Sequence, residues 1–449
     1  MDHAAVHFAH SSAERVTFMN GPRTILRGST GSVLIVVMIV CLGLVSLTLL
    51  LGHSMLLAYR GSDNELAGRQ ADAAIEGAAQ YAEAIVTNVE SPGVMPDPQN
   101  YQSQAVPLGD ATFWFIGEPD PTDTSNVPAF GLVDEASKLN LNTANLTMLE
   151  NLPGMTQDLA AAIVAWRSSS SASPSPGSAS SSSIEKNAPF ETVEELAQVN
   201  GGTDLPTLYG GDTNLNHVLD ANEAAAGATS FSPGLMEYLT VFSREPNTLS
   251  NGAKRVNVTQ GGGAVNGLLN TAFGAARGGR LANTIRRAGS IRSVLEFYIK
   301  SGMSADEFAQ ISGSLTMTGG AFSKGLVNVN TASETVLECI PGITAGTAAQ
   351  IVSTRAAQQE PVTNLSWVAK ILGPAASFQA GPYLTAETFQ ISADIAAVGR
   401  NGRGYRRTLF VIDNSTGSPQ IVYRRNLASL GWAVGSAERQ ALARQQGTP

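Results

Sequence analysis

The hydrophobic pattern of the chain begins with one long apolar run near the N-terminus. From Ser32 to Ala58 the sequence contains no acidic or basic residue other than His53. As a helix this run is roughly 40 Å long, which is enough to cross a bilayer with some tilt. Apolar residues then recur at helical spacing from Leu66 to Val89, and Ser91-Pro92-Gly93 stops the pattern. The pattern predicts one long helix, with a transmembrane part at 32–58 and a soluble extension at 59–93.

A second feature is an internal duplication at an offset of 188 residues. Residues 138–167 align with residues 326–355, and 15 of the 30 aligned positions are identical, which chance does not explain. Each copy reads as a strand-like entry, a short helix, a Pro-Gly turn and a second helix with an apolar stripe. A third piece follows each copy, since 190–201 aligns with 362–373. The copies are therefore two helix-hairpin-helix-like repeats, at 138–201 and 326–373, and a Ser-rich linker at 168–183 is inserted in the first.

The C-terminal part changes to the alternating pattern of strands. Residues 389–395, 407–412 and 420–424 alternate and are rich in β-branched or aromatic residues, and Asp413–Gly417 has the composition of a hairpin turn. Ala111–Ile116, before the repeats, has the same character. These strands predict an antiparallel sheet packed on the N-terminal helix, and hence an α+β fold. The last fifteen residues, 435–449, are expected to form a disordered tail.

Composition argues against an enzyme. The net charge is −9, and the five histidines leave only His217 outside the N-terminal 53 residues, so histidine catalysis or a His-rich zinc site has almost nothing to use. Cys41 lies in the apolar run, which makes a disulfide with Cys339 improbable. The sequence contains no nucleophile elbow, Cys-x-x-Cys pair or zinc-protease helix.

Between the repeats, residues 212–223 have the register of an EF-hand calcium loop. Oxygen-bearing side chains occupy positions 1, 3, 5, 9 and 12, and position 7 offers a backbone carbonyl. The expected calcium ligands are Asp212, Asn214, Asn216, Val218, Asp220 and Glu223. His217 stands where the sharp turn normally has Gly, and three carboxylates predict weak affinity, on the order of 10⁻⁴ to 10⁻³ M. The alternative is a polar loop rich in Asn and Asp turn formers.

The junction before the apolar run resembles a type IV prepilin leader. Arg23 and Arg27 precede a Gly-rich stretch, and they predict a cytoplasmic N-terminus with the bulk of the chain outside. The resemblance implies peptidase cleavage after Gly31, before Ser32, with Gly28 as the alternative. Most pilins have Glu at the fifth residue after the cut, and here that residue is Val36. An ordinary signal anchor remains the other interpretation of this segment.

Further motifs resemble the minor pseudopilin K family of type II secretion systems. An apolar residue at position 36 is typical of that family, as are FGLVDEASKLNLNTA at 130–144, the two hairpin units and LMEYLTVFSREPN at 235–247. The resemblance extends from Gly31 to about Trp432. The leader is longer than in the family, and the Ser-rich linker departs from its pattern.

The resemblance implies a pilin-like fold with a long N-terminal helix, an antiparallel sheet and a large helical insertion. The expected parts are a leader at 1–31, sheet segments at 105–137 and 385–434, and the insertion at 138–384. It also implies a non-enzymatic, single-pass inner-membrane subunit at the tip of the pseudopilus, with a bulky periplasmic domain and structural calcium. The partners implied are other minor pseudopilins, the secretion inner-membrane platform, prepilin peptidase and membrane lipid.

Two other functions fit parts of the sequence. Helix-hairpin-helix units often bind DNA phosphates through a Gly-x-Gly turn, so the chain could be a membrane-anchored DNA-binding protein of a competence-type system. The second Gly is missing in both copies, and the acidic balance makes nucleic acid an unfavourable partner. A membrane-tethered scaffold held by a signal anchor is the third interpretation.

Overall fold

The computed structural model describes residues 30–89, 91–119, 126–168, 186–201, 203–227, 232–358 and 362–446. The chain divides into two units between Ser62 and Asp63. Most of the predicted leader, including Gly28, and residues 169–183 of the predicted Ser-rich linker lie outside the described residues.

The helices of the described residues are α1 (Thr30–Thr87), α2 (Leu146–Glu150), α3 (Gln157–Arg167), α4 (Leu205–Tyr209), α5 (Ala221–Ala225), α6 (Leu235–Tyr238), α7 (Gly263–Arg287), α8 (Val294–Ser301), α9 (Ala305–Ile311), α10 (Glu334–Glu338), α11 (Ala345–Ala356), α12 (Ser366–Ala380) and α13 (Ser436–Gln446). The strands are β1 (Val106–Leu108), β2 (Ala111–Ile116), β3 (Val133–Asp134), β4 (Leu139–Asn140), β5 (Leu239–Thr240), β6 (Arg244–Pro246), β7 (Val256–Asn257), β8 (Leu315–Thr316), β9 (Phe322–Lys324), β10 (Val327–Asn328), β11 (Leu384–Thr385), β12 (Gln390–Gly399), β13 (Arg403–Asp413) and β14 (Gln420–Asn426).

Helix α1 has two kinds of surface along its length. Its large apolar side chains from Val33 to Leu57 are exposed, and the helix is long and apolar enough to cross a membrane by length and composition. Further along, a buried stripe of small residues recurs every three or four positions: Ala67, Ala71, Ala74, Ala78 and Ala82. From Ala71 onwards this stripe packs against the sheet in one apolar cluster with residues such as Phe113 and Phe410. The single helix therefore combines an uncovered apolar part with a part that belongs to the protein core.

The alanine stripe allows the helix and the sheet to approach closely. A side chain at Gly399 would come within 2.1 Å of the carbonyl oxygen of Ala67, and one at Gly404 within 2.3 Å of the amide nitrogen of Gly68. Gly404 also has φ of +67°, which favours glycine. Glycine is needed at both positions because any Cβ would push the helix away from the sheet.

The sheet confirms the predicted α+β class of long N-terminal helix plus antiparallel sheet. Its strand order is β1-β2-β12-β13-β14, all paired antiparallel, and β3 pairs with β12 beside β2. Strand β12 is central, since Ile395 lies opposite both Phe115 of β2 and Thr408 of β13. The sheet neighbours β2 and β12 are therefore separated in the sequence by the whole helical region, which is inserted into the sheet.

The C-terminal segment differs from the predicted disordered tail. Residues 436–446 form α13, and Leu442 is buried in a small cluster with Ala433, Val434 and Trp114. Most short helices need such tertiary packing to be stable in water. Because Leu442 is a single buried side chain, it produces no amphipathic pattern from which the helix could have been predicted.

The helical region contains three related strand pairs, two of which include the strand-like entry of a predicted repeat. In the described residues, β4 pairs with β5, β7 with β8, and β10 with β11, and all three pairs are parallel. Each joins an Asn-containing strand to a Leu-Thr strand, and in each the residue after the Asn donates its amide to the carbonyl of that Thr, at 2.8–3.0 Å. In each, the Asn side chain accepts from the amide two residues later: Asn140 from Asn142, Asn257 from Thr259, and Asn328 from Asn330. Residues 255–316, here called the middle unit, therefore share the frame of the two repeats.

Each predicted repeat has an arginine at the end of its second helix, and this arginine binds the entry of the same repeat. Its guanidinium donates to two carbonyl oxygens at the entry of its own repeat: Arg167 to Leu141 and Ala144, and Arg355 to Val329 and Ala332. An Asn side chain then joins each entry to the third aligned piece, Asn142 to Phe190 and Asn330 to Val362. The duplicated sequence thus corresponds to duplicated hydrogen bonds.

Candidate functional site

The 212–223 loop begins with a carboxylate that organises the backbone. Asp212 accepts hydrogen bonds from the amides of Asn216 at 3.1 Å and His217 at 2.8 Å. His217 lies in the left-handed region with φ of 63°, and Leu215 has φ of 54°. The loop therefore makes the sharp turn that an EF-hand register requires, with histidine in place of glycine.

The other end of the loop is closed by Glu223. Asp220 is the N-cap of α5 and forms a capping box with Glu223. One carboxylate oxygen of Glu223 accepts from the amide of Thr213 at 2.7 Å, and the other from the amide of Asp220 at 3.0 Å. Glu223 therefore joins the first and last parts of the loop, as the closing glutamate of a calcium loop does.

Between these ends, two asparagine side chains face Asp220. The amide nitrogens of Asn214 and Asn216 donate to the same Asp220 oxygen, at 2.7 and 3.0 Å. The Asn214 side-chain oxygen is buried and has no hydrogen-bond partner among the residues that the structure describes. A buried acceptor without a donor is an unfavourable state that a cation would relieve.

The residues of the loop fit calcium in register and chemistry but are not arranged as a finished coordination sphere. Asp212, Asn214, Asn216, Val218 and Glu223 are all buried. Within the described residues, however, no three His, Cys, Asp or Glu side chains converge as a metal ion would require. The loop carboxylates instead accept hydrogen bonds from asparagine side-chain amides and from backbone amides. A cation would have to displace those amide contacts.

Arg407 fastens this loop to the sheet. The arginine is fully buried on β13, and its guanidinium donates to the carbonyl oxygens of Asn214 and Leu215 and to the carboxylate of Asp394. Sequence reasoning missed this residue, although the charge at the start of an otherwise apolar strand, RTLFVI, was a visible signal. A buried arginine whose three side-chain nitrogens all donate to oxygen is a strong tether.

A second connection runs through His217 into a cavity of about 110 Å³. The Nδ1 of His217 lies 3.1 Å from a Glu237 oxygen, and Lys138 lies 3.0 Å from Glu118 in the same cavity lining. Burial alone lowers the pKa of His217, but the nearby carboxylates, chiefly Glu237, raise it to about 9. Burial raises the pKa of Glu237, yet His217 and Lys138 bring it down to about 2. The pair is therefore charged at neutral pH and ties the loop to α6.

The predicted processing residues lie elsewhere, in α1. Gly31, Ser32 and Val36 are all within the helix, and the Val36 side chain is 59% exposed. The calcium residues and the processing residues thus form two separate features of the chain.

The hairpin turns were the basis of the nucleic-acid alternative. In the second repeat a side chain at Gly342 would lie 2.8 Å from the carbonyl oxygen of Ala376 and 2.9 Å from Gln379, so α12 covers this turn. The turn at Gly154 is open. The two turns therefore differ in accessibility, and they do not form a pair of equivalent exposed turns that could bind phosphates together.

Comparison with known proteins finds similarity among solved structures only. No family model matches the sequence, and no curated protein matches it. Among solved structures, the chain is similar to a chain of the crystal structure of the GspK–GspI–GspJ complex from the type 2 secretion system of enterotoxigenic Escherichia coli. The match has 10% sequence identity and a TM-score of 0.30, and covers 84% of this chain and 96% of that chain. At this TM-score the similarity does not by itself establish a shared fold.

Proposed function

We propose that the protein is a minor pseudopilin of a type II secretion system, anchored in the inner membrane and without enzymatic activity. The proposal rests mainly on the two different surfaces of α1. One continuous helix leaves an apolar segment exposed from Val33 to Leu57 and then packs an alanine stripe against an antiparallel sheet. The motifs that resemble the pseudopilin K family support the same assignment.

The exposed part of α1 determines the mechanism. An apolar surface of this length needs a cover, which is lipid before assembly and the helices of other subunits afterwards. We infer that leader removal by prepilin peptidase releases the N-terminus while the helix is stored in the bilayer. The helix then associates with other minor pseudopilins on the inner-membrane platform. Val36 is uncharged, so this subunit needs no ion pair with the N-terminal amine of a neighbouring subunit below it.

We infer the position at the tip from the size of the helical region. This region, residues 138–384, is inserted between β3 and β12. A subunit in the shaft would clash with the subunits above it. A subunit at the tip has free space there and can cap or initiate the pseudopilus.

Calcium is proposed as a structural component of the same region. The side chains of Asp212, Asn214, Asn216, Asp220 and Glu223 and the carbonyl of Val218 would hold it. The ion would supply positive charge to the three loop carboxylates, two of which are buried, and a partner to the Asn214 oxygen. Arg407 fastens the same loop to the sheet through the carbonyls of Asn214 and Leu215, so the proposed role is to stiffen this junction.

The first prediction concerns processing. When the chain is co-expressed with a prepilin peptidase, we expect N-terminal sequencing to find a mature chain that starts at Ser32. Gly31→Leu is expected to leave the leader attached, because the peptidase site accepts a small residue there, and Gly43→Leu inside the apolar run serves as the control. A start at Ser29 would keep the class and place Val33 at the critical position. An uncut chain would leave a signal anchor and remove the tip mechanism.

The second prediction concerns calcium. At a calcium concentration about ten times the Kd, we expect the free energy of unfolding to rise by about 1.4 kcal/mol relative to chelator. Glu223→Gln is expected to abolish this increase, whereas Asp158→Asn, an exposed carboxylate in the first repeat, is expected to retain it. The measurement is thermal unfolding of the full chain in detergent with calcium, magnesium or chelator. An equal response of both variants would contradict the site.

A further inference from the structure

A basic segment of this acidic protein overlaps the middle unit. Residues 246–295 contain seven Lys and Arg residues and no Asp or Glu. Since the whole chain has a net charge of −9 and this segment +7, the remainder carries −16. A basic segment therefore stands out against a strongly acidic chain.

Four arginines of this segment face solvent. Arg280, Arg286 and Arg287 lie on the C-terminal half of α7, and Arg292 follows it; all four are exposed. In the described part of the chain, the guanidinium groups of the first three form no hydrogen bond or ion pair. Arg292 is 73% exposed and only approaches Glu296, at 3.8 Å. Arg277 is different, because Glu307 holds it in a bidentate pair at 2.7 and 2.8 Å.

The position of Arg287 in the repeat frame shows that it is not needed for the fold. Each unit has a turn glycine with positive φ: Gly154 at 75°, Gly274 at 74° and Gly342 at 89°. An arginine follows thirteen residues later in each: Arg167, Arg287 and Arg355. In the two repeats this arginine holds the carbonyls of the entry strand, whereas in the middle unit it is exposed. The middle unit therefore keeps the frame but directs its arginine outwards.

The chemistry of the surface limits what can bind there. Guanidinium groups pair with carboxylates or phosphates. A helix that lies on a lipid surface needs a free apolar face, but the apolar face of α7, Leu281, Ala282 and Ile285, is buried in the protein's own core. A long nucleic acid would also meet the field of the acidic remainder of the chain. A compact acidic patch avoids both problems.

We propose that Arg280, Arg286, Arg287 and Arg292, here called the arginine surface, form a docking site for an acidic patch on a partner protein. The exposed arginines pair with carboxylates of the partner at the rim of an interface. Such pairs speed association and select the partner more than they add affinity. The inference does not depend on the pseudopilin assignment, since it rests on the charge and exposure of the middle unit.

The test uses the full chain in detergent and a fluorescein-labelled polyglutamate peptide as the acidic probe. Fluorescence anisotropy at low ionic strength measures the Kd of the wild type, of R280Q/R286Q/R287Q and of K254Q/K324Q/K370Q. The second variant removes the same charge from exposed lysines outside the arginine surface. We expect the arginine variant to bind at least about tenfold more weakly and the lysine variant to change by less than about threefold. Added salt is expected to weaken wild-type binding.

Three results would overturn the proposal. The first is an equal loss of binding in both variants, which would indicate a general charge effect. The second is tighter binding to a DNA duplex, lost in the arginine variant. The third is the same loss for vesicles of roughly equal phosphatidylglycerol and phosphatidylcholine. If the triple variant has a lower unfolding midpoint, R287Q alone is used, and it is expected to weaken peptide binding about twofold to threefold.

Discussion

Replacing Arg407 by methionine is expected to lower the free energy of unfolding by about 3–5 kcal/mol. The arginine is fully buried, and its loss leaves the carboxylate of Asp394 and the carbonyls of Asn214 and Leu215 without donors. Uncompensated buried charge is among the most destabilising of single changes. The measurement is chemical denaturation of the full chain in detergent, followed by tryptophan fluorescence.

The neighbouring residue supplies the control. Arg406 is partly exposed and pairs with Asp72 at 3.0 Å, so Arg406→Met is expected to cost at most about 1 kcal/mol. The double variant R407M/D394L removes the unpaired charge and is expected to recover part of the loss, although the two loop carbonyls remain without a donor. Equal costs for R407M and R406M would show that Arg407 does not fasten the loop.

Replacing Asp134 by alanine is expected to lower the free energy of unfolding by about 2–4 kcal/mol at neutral pH. This buried carboxylate lies on β3 and accepts from four donors in two parts of the protein: the Ala136 amide, the Asn328 side chain, and the hydroxyls of Thr331 and Thr388. Removal leaves the donors of the second repeat unpaired beside the sheet. Asp110→Ala, at an exposed turn, is the control and is expected to change stability by less than about 0.5 kcal/mol.

The pH dependence of this effect has a definite sign. Burial raises the pKa of Asp134 to about 6, against the opposing effect of its hydrogen bonds. The folded state then holds this proton more tightly than the unfolded state, whose pKa is near 3.8. The stability due to protonated Asp134 is present below about pH 4 and is lost as the pH rises through about 6. The difference between wild type and Asp134→Ala is therefore expected to be larger at pH 4 than at pH 7, and a difference that grows with pH would contradict this assignment.

Several elements could be predicted because their signals are local. The long helix follows from an apolar run and from apolar residues at helical spacing after it, and the strands at 111–116 and 420–424 from alternation. The duplication was visible because half of the aligned residues are identical. The EF-hand register in 212–223 is likewise a property of adjacent positions, so the candidate ligands could be named from the sequence.

The middle unit could not be recognised from local sequence patterns. Its frame consists of the dipeptides Val256-Asn257 and Leu315-Thr316, which are too short to be distinguished from chance in the sequence. Its hairpin lies within α7, where Gly274 takes the place of a Pro-Gly turn. Only the pairing of two strands about sixty residues apart relates this unit to the repeats.

The sequence by itself determined the apolar helix, several strands, the duplicated segments and the candidate loop. The tertiary structure decided how they are joined, through Arg407 and Asp134, and that residues 436–446 form a helix packed through Leu442. The physical reason is that helix and strand patterns depend on residues a few positions apart. A buried charge, by contrast, is stabilised by distant partners: Arg407 by Asn214 and Asp134 by Asn328, each almost two hundred residues away in the sequence. Only folding brings these partners within hydrogen-bond distance.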